Sequence, residues 1–190
     1  MRYIYCLLLA AVFASLQGCF APAVIATGVG TGAMMASDRR TTGAYIEDES
    51  IENKALSQIN TKFKSGVHVN ITSYNRHVLI TGEAPNEEAR TEIRKIVTGI
   101  QNVKAVSNEL TISGTAGITS RSSDSLITAD VKFRFLNNQV FHPDHVKVVT
   151  ENGTVYLMGL VYRKEAETAA EITSTTKGVL RVVKVFEYLD

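Results

Sequence analysis

The chain has 190 residues, 20 of them basic and 19 acidic, with 45% hydrophobic residues, two cysteines and no tryptophan. A net charge of +1 leaves no bulk field to recruit nucleic acid or a strongly anionic partner. One cysteine, Cys6, lies in an N-terminal leader, so the remainder holds one cysteine and no internal disulfide.

Residues 1–18 carry one early positive charge at Arg2, an apolar run from Tyr3 to Leu16, and then small residues. This run is too short for a spanning helix and reads as a secretory signal peptide. The segment Leu16-Gln17-Gly18-Cys19 resembles a bacterial lipobox, which implies cleavage before Cys19 and acylation of its sulfur and amino group with palmitate-type chains. Each buried acyl methylene contributes about 0.8 kcal/mol, so several chains make a lasting anchor. Phe20 stands where an Asp is the inner-membrane retention signal of the lipobox pattern. The expected location is therefore the outer membrane, lipid-anchored and facing the periplasm. Loss of Arg2 leaves 19 basic residues against 19 acidic ones, so the mature chain is neutral. Residues 19–46 read as the lipidated Cys19 and a flexible tether whose glycines disfavour helix. Within it, "GVGTG" lacks the preceding strand and following Lys of a phosphate loop.

The rest contains an internal repeat. "VHVNITSYNRHVLITGEAPNEEAR" parallels "DHVKVVTENGTVYLMGLVYRKEAE": Val69 and Ile71 match Val146 and Val148, and Val78, Ile80 and Gly82 match Val155, Leu157 and Gly159. Apolar and polar residues alternate on both sides of a turn, as in a β-hairpin. In the second copy Asn152-Gly153 supplies the positive φ of a tight turn. A helix precedes each hairpin, predicted at Ser50–Phe63 and Ser125–Asn137. Another follows each: one starts at Pro85-Asn86 with Ala89, Ile93, Ile96, Val97 and Ile100 on one side, the other spans Lys164 to Thr176. Each copy ends in a strand. The fold class is α+β, two αββαβ units with two helices on one face of a three-stranded sheet. The predicted limits are 47–114 and 125–190, joined by a Gly/Ser linker at 115–124. A unit this small buries only about 60% of its chain's surface and is marginal alone, so close packing of the pair is expected.

The hairpin glycine and the closing strand, Asn102-Val103 through Val106 to Asn108 and Leu110, resemble the BON domain family, whose fold is αββαβ. The second copy keeps Gly178-Val179 and Val182 but has Lys184 in place of the Asn. With the lipobox and tether, the arrangement is similar to the dual-BON outer-membrane lipoproteins.

The helix at Ser125–Asn137 carries two apolar stripes where a surface helix needs one. Ile127, Val131 and Phe135 match Ile51, Ala55 and Ile59 of the first copy, which marks them as the sheet-facing stripe. Leu126, Ala129, Phe133 and Leu136 fall opposite Ser50, Asn53, Ser57 and Asn60. Such a patch is disfavoured unless covered. One covering is the first domain. The other is lipid, with Lys132 and Arg134 beside the stripe and Arg121 upstream keeping their charges at phosphate level, opposed by Asp124 and Asp130. The family resemblance implies the second: anionic phospholipids such as phosphatidylglycerol and cardiolipin bound through this helix, a role in cell envelope integrity, and concentration at the cell division site. The alternative is a periplasmic adaptor for outer-membrane assembly proteins, using the same stripe as a protein or inter-domain interface.

No catalytic residues and no cofactor are expected. Ser-elbow, HExxH and paired-cysteine patterns are absent from the sequence. His142, Asp144 and His145 lie together in "HPDH", but Pro143 makes this a loop without a distant partner, and it reads as a solvated turn rather than a metal site. His68 and His77 are expected to face solvent. Glu87 and Glu88 fall in a helix's first turn, where the macrodipole favours them.

Overall fold

The computed structural model describes residues 38–64, 66–113 and 118–190, with side chains from 122 onward in the last segment. The signal peptide, Cys19, the "GVGTG" segment and the Arg121 side chain lie outside this description. The described residues belong to one compact unit, Ser37–Asp190.

Period-two patterning produces the hairpins. β1 (His68–Tyr74) pairs antiparallel with β2 (His77–Ala84). In the second copy β5 (Val146–Glu151) pairs with β6 (Thr154–Val161). Gly82 pairs with Val69 and Gly159 with Val146. A Cβ at Gly82 would stand 2.1 Å from the His68 carbonyl oxygen, and one at Gly159 2.3 Å from that of His145. The repeated glycine is thus a close-approach residue. Both turns have two consecutive positive φ values, at Asn75-Arg76 and Asn152-Gly153. Arg76 makes the first turn the costlier one.

The helix α2 (Glu87–Thr98) carries the chain across to β3 (Ala105–Asn108), parallel to β2. Its cap is Asn86, whose Oδ1 accepts from Ala89 N at 2.9 Å, with Glu87 and Glu88 in the first turn. β4 (Thr111–Ile112) continues the same strand after a break. Asn108 causes that break: its Nδ2 donates to the Arg90 carbonyl and its Oδ1 accepts from Leu110 N, which sends Leu110 into the core. In the second copy α4 (Arg163–Ser174) leads to β7 (Arg181–Tyr188), parallel to β6. Lys184 occupies the register of Asn108, and the strand runs unbroken through eight residues.

The leading helices are longer than their predicted spans. α1 is Thr42–Phe63 rather than Ser50–Phe63, capped by Thr41 Oγ1 accepting from Ala44 N. Its first turns expose Tyr45 and Ile46, so no apolar period announces them. α3 is Ile118–Leu136, and seven residues expected in the linker are helical. A helix already nucleated by packing extends at little cost, and Ser and Thr weaken propagation only slightly.

Three apolar layers result. In the first copy Ile51, Ala55, Ile59, Ile93 and Val97 of the helices meet Ile71, Val78 and Ile80 of the sheet. In the second, Ile127, Val131, Phe135, Ala166 and Ala169 meet Val146, Val148, Val155 and Leu157. The third layer lies between the sheets: Tyr74 and Leu79 of one against Tyr156, Met158, Leu160 and Val185 of the other. These residues alternate with the helix-facing ones, so each sheet buries both faces. Around this layer Asn152 Nδ2 donates to Glu83, Asn70 Nδ2 to Glu151, and Asn75 Nδ2 to Glu187, at 2.7–2.9 Å. The domains are packed sheet to sheet, and their helices occupy opposite outer faces.

Residues 38–40, predicted as tether, grip both domains. Arg39 forms a bidentate pair with Glu165 at 2.6 and 2.8 Å and also donates to the Leu160 carbonyl. Arg40 pairs with Asp38 at 2.7 Å and Asp48 at 3.0 Å, and lies 4.0 Å over the Tyr74 ring. Burial, with the Asp38 carboxylate nearby, pushes the Tyr74 phenol up to about 12.

Candidate functional site

The helix α3 is fixed at both ends. Near its start the buried Asp124 carboxylate accepts from Asn152 N and Gly153 N, both at 2.8 Å, closing the β5–β6 turn. At its end Asn138 Nδ2 donates to the Phe135 carbonyl, while Asn138 Oδ1 accepts from Val140 N and Phe141 N. This folds Phe141 back onto Phe135, ring centroids 5.1 Å apart and nearly perpendicular. Ile127, Val131 and Phe135 are buried, as the comparison of copies predicted. The helix cannot roll without emptying this core.

The outer stripe is therefore held outward. Leu126, Phe133 and Leu136 are 73%, 64% and 67% exposed, and Ala129 between them is exposed. Their counterparts on α1 (Ser50, Asn53, Ser57 and Asn60) are polar, with Ser50 half-buried and the others exposed. The first domain does not cover the stripe, because it packs against the opposite face of the second sheet.

The flanking charges divide differently from the expectation. Lys132 is exposed. Arg134 instead crosses to the end of α4, where it donates to the Ile172 carbonyl at 2.6 Å and to Thr175 and Thr176 hydroxyls. There it offsets the negative helix terminus and is committed to holding the helices together. Asp124, expected to oppose an anionic surface, is turned inward to the hairpin. Asp130 stays exposed.

Asp124 has a twin that sequence reasoning passed over. Asp48 accepts from Asn75 N at 2.8 Å, Arg76 N at 2.7 Å and the Ser73 hydroxyl at 2.7 Å. Each Asp stands three residues before the first core Ile of its helix. That equal spacing was the available signal.

Neither His68 nor His77 is fully exposed. His77 is half-buried, 2.9 Å from the Ser107 hydroxyl, and burial lowers its pKa. His68 lies half-buried with Nε2 3.8 Å from Glu151. Pro143–His145 form a 3-10 turn, with His142 Nδ1 3.5 Å from Asp144 and His145 Nδ1 3.9 Å from Glu165. Among the described residues no three His, Cys, Asp or Glu side chains gather as a metal ion requires. Nor is any described helix long and apolar enough to cross a membrane.

The BON domain family matches residues 47–114 and again 123–190. Over 178 residues, 92% of this chain and 91% of the other, the sequence is 41% identical to the outer membrane lipoprotein DolP of Haemophilus influenzae. It is 32% identical to the 21 kDa hemolysin of Actinobacillus pleuropneumoniae, over 80% of this chain and 79% of that one. The osmotically-inducible protein Y of Escherichia coli K12 is 23% identical, over 82% of this chain and 80% of its own length.

Proposed function

The chain belongs to the BON family as a two-domain protein of the DolP type, and from that premise we propose that this outer-membrane lipoprotein binds anionic phospholipid through the outer face of α3 and so supports envelope integrity. The observation that carries the reading is the exposed Leu126–Phe133–Leu136 face, held outward by a packed core and matched by polar residues in the sibling domain.

Fully burying a Leu or Phe contributes roughly 1.5–3 kcal/mol, so half-insertion of three such residues gives about 2–4.5 kcal/mol. Lys132 adds about 1 kcal/mol near an anionic surface. This is a transient attachment. The acyl chains expected at Cys19 supply residence at the membrane, while the helix face supplies orientation and a preference for anionic surface. The role is one of binding rather than catalysis, at the periplasmic side of the outer membrane.

Flotation of the mature chain carrying Cys19→Ser with phosphatidylglycerol or cardiolipin vesicles at low salt tests the reading. Recruitment that falls about tenfold in Leu126→Asp or Phe133→Asp, with unchanged melting, supports it. A chain that ignores both lipids overturns it. The adaptor alternative then gains the stripe as a protein-binding face.

A further inference from the structure

A cavity of about 390 Å³ opens beside α3, between the two domains. Ser125 and Thr128 line it from the helix, Thr150 from β5, and His68 and Asn70 from the first domain. Two buried carboxylates, Asp124 and Glu151, complete the wall. Both are already engaged: Asp124 by the turn amides, Glu151 by Asn70 Nδ2 at 2.8 Å with His68 Nε2 at 3.8 Å. The Thr128 and Thr150 hydroxyls lie 2.7 Å apart.

Helical spacing relates this cavity to the outer stripe. Ser125, Thr128 and Lys132 form an i, i+3, i+7 ridge, with Ser125 and Lys132 about 60–80° around the helix from the stripe's centre. When a helix lies in the membrane plane with its apolar face down, residues at that angle sit at head-group depth. The opposite flank offers no equivalent, since Asp130 is exposed there and Arg134 is bound to α4.

Resting on the lipid reading above, we infer that this cavity is a head-group site for the glycerol of an anionic phospholipid, with Lys132 holding the phosphate one turn away. The lining decides the chemistry. Hydroxyls and carboxylate oxygens suit a neutral polyol, whose hydroxyls donate and accept. A phosphate inside the cavity would face two carboxylates and is disfavoured by like-charge repulsion. The first domain thereby contributes to lipid selection through His68 and Asn70 without touching the apolar stripe.

The test is flotation of the mature Cys19→Ser chain with phosphatidylcholine vesicles containing equal fractions of phosphatidylglycerol or phosphatidic acid. Phosphatidic acid keeps the phosphate and lacks the glycerol head. Wild-type protein should favour phosphatidylglycerol by about threefold or more. His68→Ala and Thr128→Val should remove that preference while leaving phosphatidic acid binding unchanged. Ser125→Ala, at an exposed position, gives the same readout if either variant melts early. Equal binding of the two lipids by wild type, or a preference retained in all three variants, overturns the head-group site while the stripe reading stands. If neither lipid floats wild type, both readings fall.

Discussion

The helices α1 and α3 do the same structural work with opposite outer surfaces. Each buries an apolar triad against its sheet, and each sends a buried aspartate, Asp48 or Asp124, into the turn of the following hairpin. Only α3 keeps Leu126, Phe133 and Leu136 exposed. Because both domains share one fold, that difference cannot be a folding requirement. It isolates the exposed surface on which the lipid-binding proposal rests.

The strongest perturbation of this comparison is at the shared face. Phe135→Ala should cost about 3–5 kcal/mol and Ile59→Ala about 2–5 kcal/mol in urea unfolding; costs near zero at both would show that the triads are not the core. The paired aspartates come next. Asp48→Ala and Asp124→Ala each strand buried turn amides, at about 1–3 kcal/mol. Asp48 should be the costlier, since it also receives the Ser73 hydroxyl and Arg40. Changes on the outer face should separate function from stability. Leu126→Asp or Phe133→Asp is expected to lower vesicle binding about tenfold, roughly 1.4 kcal/mol, while unfolding stability moves by no more than about 0.5 kcal/mol. The converse graft, Ser50→Leu with Ser57→Phe on α1, should give the first domain a weak vesicle affinity of its own, measurable as flotation restored in a Phe133→Asp background.

The smallest effect concerns pH. Burial opposes ionisation of Glu165, but Arg39 and the Tyr162 amide outweigh it and hold the carboxyl below its ordinary value. A depressed acid contributes stability that is present above its unfolded pKa, about 4.3, and lost as pH falls through the folded value. Urea midpoints followed downward from pH 5 should therefore fall less steeply in Glu165→Gln than in wild type. Parallel curves would remove the Arg39–Glu165 pair from the account.

Much of this fold was legible because its signals are local and doubled. The repeated glycine marks a backbone approach that recurs at Gly82 and Gly159. Alternation in the strands marked the helix-facing side of each sheet, and the exposed stripe emerged by subtracting one copy from the other. The early turns of α1 were not legible, since Tyr45 and Ile46 face solvent and leave no apolar period. Nor was the fate of Arg134, whose partners at Ile172, Thr175 and Thr176 lie about forty residues away.

By itself, then, the sequence determined the αββαβ unit, its duplication and the two-striped helix, because periodicity and turn chemistry act over a few residues. Tertiary structure alone decided three further matters. It packed the domains sheet to sheet, which leaves α3 uncovered. It drew Asp38, Arg39 and Arg40 out of the tether and onto both domains. It also placed His68 and Asn70 beside Ser125 and Thr128. Each depends on which charged and apolar surfaces meet after folding. That is a property of distance in space, which spacing along a chain does not encode.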